Sequence, residues 1–223
     1  MQKHFMNLLR TSVLLILCSS VMLAGGTTIT IVHVNDTHSH LDAFGPKDFH
    51  LNGTIGGIAR AASVFGSIRA TEQNVVLLHG GDAFVGDFMF NSYFGVPELQ
   101  IMSSLGFDAM AVGNHEFDLT PDALLGSLLT ATPSFKLLSA NLDMTAYPGG
   151  SDLANFVQPS IVINRGVKIG IFGLTVWDNP STNSSPIQIL DPTPTIAASM
   201  VQSLRSQGAV VVICLSHMGF LHD

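Results

Sequence analysis

The sequence predicts an α/β fold built on buried strands, and three observations predict it. Of 223 residues, 47% are hydrophobic and 11% are charged, against roughly 25% charged in an average domain. Such a chain can close a large core and does not fall in the disordered class. Continuous Val/Ile/Leu runs, the mark of strands covered on both faces, alternate with helical patterns along the chain. Four of these runs end in polar residues able to bind metal, at the place where open α/β sheets hold ligands.

The first 26 residues stand apart from this pattern. Lys3 and Arg10 precede the apolar stretch "TSVLLILCSSVMLA", and Ala24 and Gly26 supply small residues at a cleavage point. This is the pattern of a secretory signal peptide. The apolar stretch is shorter than the roughly 20 residues of a membrane span. Segment 1–26 is therefore read as a signal peptide and 27–223 as the folded region. The product is expected to be secreted, periplasmic or at the cell surface, with no stable membrane span after signal removal. Cys214 is then the remaining cysteine, so no intrachain disulfide forms. Within "AVVVICLSH" its thiol reads as a small buried hydrophobe.

Strands are expected at 28–34, 74–80, 108–112, 135–140, 160–164, 167–176 and 209–217. Helices are expected at 55–70, 97–105, 121–130 and 194–207. Thr120 before Pro121 and Thr193 before Pro194 pair an N-cap residue with a proline at the first helical position. Asn164-Arg165-Gly166 between two strands reads as a hairpin turn. The Pro-, Ser- and Asn-rich stretch 177–193 reads as a long surface loop.

The formal net charge is −7, and no basic stripe is present, which argues against a nucleic-acid duplex as partner. An anionic substrate would be repelled as well, unless a local positive charge outweighs the global field. A bound metal ion is such a charge.

The four strand ends read "NDTHSH" (35–40), "GGD" (80–82), "GNHEFD" (113–118) and "SHMG" (216–219). Asp36 and His38 are two apart, so in extended chain both side chains point the same way. Asp82, Asn114 and His217 each read singly as turn or hydrogen-bonding residues. Together the five offer carboxylate, amide and imidazole without thiolate, which suits divalent ions of intermediate hardness and disfavours a structural zinc site. Five such donors exceed what one ion needs. Two ions sharing Asp82 would be placed for displacement at phosphorus. His115 and Asp118 meet at i and i+3 if the chain turns after His115.

With these motifs the chain resembles the calcineurin-like metallophosphoesterases, and within them the secreted 5′-nucleotidase branch. "VHVNDTHSHLD" (32–42), "GGIAR" (56–60), "GGDAFVGD" (80–87), "GNHEFD" and "SHMG" carry the resemblance from about residue 28 to the end. It implies an α/β/β/α sandwich of mixed sheets. It implies that Asp36 and His38 bind a first divalent metal (Zn, Mn, Mg, Co or Ca), that Asp82 bridges to a second, and that Asn114 and His217 bind the second. His115 and Asp118 are then a catalytic dyad rather than ligands. The implied substrate is a nucleoside 5′-monophosphate or related nucleotide. A 2′,3′-cyclic nucleotide, a UDP-sugar or a thiosulfate ester would fit the same metal chemistry, and a non-catalytic metal-binding module stays open beside them. The family's later G-H-x-H block, which adds an imidazole to each metal, does not occur in the 223 residues, nor does its specificity domain. The resemblance thus implies a partial catalytic domain, incomplete at the C-terminus, that alone is weakly active or inactive.

Overall fold

The computed structural model describes residues 26–47, 53–192 and 195–219. All of the signal-like segment except Gly26, and the Thr193–Pro194 helix start, lie outside the described residues. β1 (Thr30–Val34) leads to a hairpin of β2 (Phe44–Lys47) and β3 (Gly53–Ile55), then α1 (Ile58–Thr71) and β4 (Val75–His79). α2 (Phe88–Tyr93), α3 (Val96–Leu105), β5 (Ala109–Ala111), a 3-10 turn (His115–Phe117) and α4 (Pro121–Ala131) follow. Next come β6 (Lys136–Leu138), β7 (Leu142–Asp143), α5 (Gly150–Leu153), β8 (Val157–Gln158), β9 (Ser160–Asn164) and β10 (Lys168–Thr175). β11 (Gln188–Ile189), α6 (Thr195–Ser206) and β12 (Val211–His217) complete the described chain.

Two sheets stack face to face. The first has the order β1-β4-β5-β6-β8 with every pair parallel. The second has the order β12-β10-β9, parallel on one side of β10 and antiparallel on the other. The strand period of two explains why the runs are apolar throughout. In β4, Val76 and Leu78 face the second sheet, against Ile169 and Ile171 of β10 and Leu215 of β12. Leu77 faces the other way, toward Phe65 of α1, Leu99 and Met102 of α3 and Leu128 of α4. Phe172 and Leu174 of β10 turn outward onto Leu204 of α6. The layers are therefore helix, sheet, sheet, helix. Each fully buried Leu or Ile stabilises this stack by roughly 1.5–3 kcal/mol.

Glycine lets the sheets approach this closely. A Cβ on Gly173 of β10 would lie 2.0 Å from the carbonyl oxygen of Leu138 in β6. Elsewhere the local signals act as expected. Thr120 Oγ1 accepts the N–H of Ala123 at 3.1 Å and caps α4. Gly166, at φ 76°, turns β9 into β10.

The structure corrects three expectations and adds one helix the sequence reading left out. The helix expected from residue 55 begins at Ile58, because 53–55 pair as β3 and Gly56 and Gly57 take φ of 63° and 85°. The loop 177–193 contains β11, which pairs with β7. The 88–93 segment is helical, started by Asp87, whose carboxylate accepts the N–H of Phe88 at 2.6 Å. Cys214 is exposed rather than buried, since β12 is an edge strand of the described sheet.

Candidate metal centre

The carboxyl ends of β1, β4, β5 and β12 converge. The loops after β1 and β4 run side by side and continue the ladder of their strands. Gly80 N–H donates to Val34 O at 2.7 Å, Asp36 N–H to Gly81 O at 3.0 Å, His38 N–H to Asp82 O at 3.1 Å and Ser39 N–H to Ala83 O at 2.9 Å. Asp36 and His38 are not extended. Their φ values are 52° and 46°, and Asp82 has φ 56°. Left-handed backbone is unusual for non-glycine residues, with Asp and His among the more tolerant. It turns these side chains toward one another instead of along a strand. The Asp36 and His38 side chains still meet, Oδ1 to Nε2 at 3.9 Å, although by a turn and not by the strand alternation the spacing predicts.

Asp82 is the hub. Its Oδ1 accepts the backbone N–H of His115 at 3.0 Å. Its Oδ2 lies 3.1 Å from Nε2 of His217, 4.0 Å from Nε2 of His38 and 4.0 Å from Nε2 of His115. Two sets of potential ligand atoms share this carboxylate, His38–Asp82–His115 and Asp36–Asp82–His217, with all atoms of each set within 4.8 Å of one another. Asn114 lines the same cleft, of about 660 Å³, as Asp36 and His217. The structure thus brings together all seven residues singled out in the sequence.

The histidines are held from behind. Nδ1 of His38 donates to Val85 O at 2.9 Å, and Nδ1 of His217 to Gly80 O at 2.9 Å. Each bond leaves Nε2 facing Asp82. A ring N–H anchored on a carbonyl is the usual support of a metal-ligating imidazole. The donor set therefore fits divalent cations, with Asp36, His38, Asp82, Asn114 and His217 as the residues that would hold them. His115 differs, because its Nδ1 is 2.7 Å from the Asp118 carboxylate. The 3-10 turn over His115–Phe117 brings the two together. His40 donates to His38 O at 2.8 Å and packs on Phe44, outside the ligand cluster.

Proton affinities follow from these contacts. Burial penalises the charged form of His217, but the hydrogen bond that its Nε2–H donates to Asp82 outweighs it and pushes the pKa up to about 9. Burial would raise Asp82, yet His217 and the backbone N–H of His115 hold it below the usual carboxylate range. For His115, burial lowers the pKa, and the Asp118 bond with the Asp82 charge more than offsets this, so it lies above the ordinary value.

The sequence offers no chemical role for two residues of the site, and Glu116 is read there as a packing or hydrogen-bonding residue. Glu116 is 3% exposed and accepts four backbone N–H groups, from Gly113 (2.6 Å), Asp82 (3.0 Å), Ala83 (2.9 Å) and Phe84 (3.3 Å). Burial and the neighbouring Asp82 charge raise its pKa to about 7. No spacing rule marks an acid between His115 and Phe117 as buried. His79 is 1% exposed. Its Nδ1 accepts the N–H of Gly81 at 3.2 Å and its Nε2–H donates to Thr37 Oγ1 at 2.9 Å. Burial drives its pKa down to about 3. Its position was legible, since strand parity puts His79 on the helix-facing side with Leu77.

Comparisons with known proteins agree with this geometry. The family model of the calcineurin-like phosphoesterases matches residues 29–221. The snake venom 5′-nucleotidase of Naja atra is 36% identical over 204 residues, covering 89% of this chain and 38% of that protein. The crystal structure of a 5′-nucleotidase precursor from Thermus thermophilus superposes with a TM-score of 0.78 at 36% identity, over 88% of this chain and 38% of that one. The NAD nucleotidase of Haemophilus influenzae gives a TM-score of 0.71 at 30% identity, over 86% of this chain and 34% of that one. The chain thus spans a little over a third of the length of the relatives it matches.

Proposed function

The chain belongs to the calcineurin-like phosphoesterase family, and on that premise we propose that it is the catalytic part of a metal-dependent hydrolase of nucleoside 5′-monophosphates or related nucleotides. One observation carries the reading. A single oxygen, Asp82 Oδ2, is ringed by the Nε2 atoms of His38, His115 and His217. A carboxylate so placed can serve two cations at once, with Asp36 and His38 beside one and Asn114 and His217 beside the other. Divalent cations held there supply the positive charge that draws a phosphate ester to a molecule of net charge −7 and activate water for in-line attack at phosphorus.

The protein's own residues do the rest. Asp82 is held at Oδ1 by the backbone N–H of His115. His115, protonated and held at Nδ1 by Asp118, presents its Nε2–H to the negative charge that grows on the phosphoryl or leaving oxygen. The phosphorus–oxygen bond to the ribose breaks, and nucleoside and inorganic phosphate are the products. Export supports the same role. The signal-like segment 1–26 would place the enzyme outside the cytoplasm, and no helix among the described residues is long and apolar enough to cross a membrane.

The test is phosphate release from AMP with manganese or zinc, before and after chelator. We expect release that chelator abolishes and metal restores, at a low rate from this stretch alone. Release indifferent to chelator would overturn the reading.

A further inference from the structure

The four N–H groups that converge on Glu116 come from two of the four segments that build the metal centre. Three belong to the loop after β4, at Asp82, Ala83 and Phe84, and one to Gly113 at the end of β5. Oε2 takes Asp82 and Gly113, and Oε1 takes Ala83 and Phe84. Glu116 itself lies in the turn that carries Asn114, His115 and Asp118. One buried carboxylate thus joins the hub residue to the segment that supplies another ligand and the dyad. Gly113 shows how tight this junction is. A Cβ there would sit 2.1 Å from Asp82 Oδ1.

We propose that Glu116 is a positioning residue that holds Asp82 in its left-handed conformation and so sets the carboxylate that would serve the cations. The inference rests on the metal-centre reading above. Asp82 at φ 56° is costly for a non-glycine residue and persists only where the surroundings over-determine it. The N–H of Asp82 is one of the four that Glu116 accepts, and the two N–H groups that follow it are bound to the other oxygen. With those three fixed, the Asp82 carboxylate is carried toward His38 and His217. A neutral amide at position 116 cannot replace this arrangement. Its NH2 would face the Asp82 and Gly113 donors, or the Ala83 and Phe84 donors if flipped, and either pair loses its acceptor.

The experiment compares the full chain with Glu116→Gln and with Asp108→Asn. Asp108 is a structural control at the opposite end of β5. It accepts the N–H of Leu77 at 2.9 Å and pairs with Arg165, far from the ligands. Manganese affinity and stoichiometry are measured by titration calorimetry, and the exchange coupling of the manganese pair by electron paramagnetic resonance. We expect Glu116→Gln to bind manganese at least about tenfold more weakly, the range seen for residues supporting metal ligands, with an altered coupling. Asp108→Asn is expected to lose thermal stability and keep both metal properties. If Glu116→Gln does not fold, Glu116→Asp carries the same test, its carboxylate withdrawn by one methylene. Wild-type affinity and coupling in the position-116 variant would overturn this inference and leave the metal centre standing. A wild-type chain that binds no manganese would instead remove the reading beneath it.

Discussion

His115 occupies an ambiguous place, because its Nε2 is as far from Asp82 Oδ2 as that of His38, 4.0 Å in both cases. Its partner separates the roles. His38 donates Nδ1–H to a neutral carbonyl, whereas the Asp118 carboxylate at His115 Nδ1 favours an imidazolium. An imidazolium must shed its Nε2 proton before it can ligate, and the Asp118 bond opposes that loss at His115. His115→Ala should therefore keep its manganese stoichiometry and lose activity by roughly 10²–10⁴-fold, the usual weight of a positioned proton donor. Loss of one bound ion would make His115 a ligand instead. The seven residues were legible in the sequence because five motifs, in one order along the chain, resemble a single family's pattern. Their conformation was not, since Asp36, His38 and Asp82 reach one another by left-handed backbone that no spacing encodes. The burial and partners of Glu116 were hidden for a related reason: burial of an acid depends on which N–H groups a distant loop turns toward it.

Helices of ten or more residues and strands of five or more were readable, as were the three-residue β5 and β6 inside longer apolar runs, while the two-residue strands were not. β7 and β11 have two residues each, too few for any period to register, and they exist because Leu142 and Ile189 pair across the sheet ends. Long strands tell more. β10 needs Gly173 where it crosses β6, and the obstacle is backbone, which cannot swing aside. Gly173→Ala should part the sheets and cost about 3 kcal/mol or more, at the upper end for overpacked cores. In a domain of this size that is a fall of roughly 6 °C or more in Tm. Gly126 in α4 is the contrast. Nothing lies within 4 Å of a Cβ there, so Gly126→Ala should stabilise the helix by about 0.5–1 kcal/mol. Thermal unfolding of the two variants checks both signs, and equal shifts would refute the close approach of the sheets.

No disulfide braces the described fold, where Cys214 is the only cysteine, so its stability rests on packing and on buried groups whose proton affinities shift on folding. Three of them shape the pH dependence of the metal-free protein. His217, raised from 6.5 to about 9, contributes stability that is complete below pH 6.5 and lost as pH climbs through 9. Glu116, raised from 4.5 to about 7, acts in the same sense, with its contribution complete below pH 4.5 and lost on the way to 7. His79, lowered from 6.5 to about 3, acts oppositely. The unfolded chain takes up a proton that the folded site refuses, so stability falls as pH drops from 6.5 toward 3. Between 4.5 and 6.5 the Glu116 and His79 slopes oppose each other, and outside that window one sign prevails on each side. In chelator, denaturant unfolding should give a maximum near pH 4.5–6.5, a decline toward pH 9 and a second decline below 4.5. His79→Asn should flatten the acid decline, and saturating manganese, which holds His217 unprotonated, should carry the maximum to higher pH. A metal-free protein most stable above pH 8 would contradict the buried pairing of His217 with Asp82 on which the alkaline limb depends.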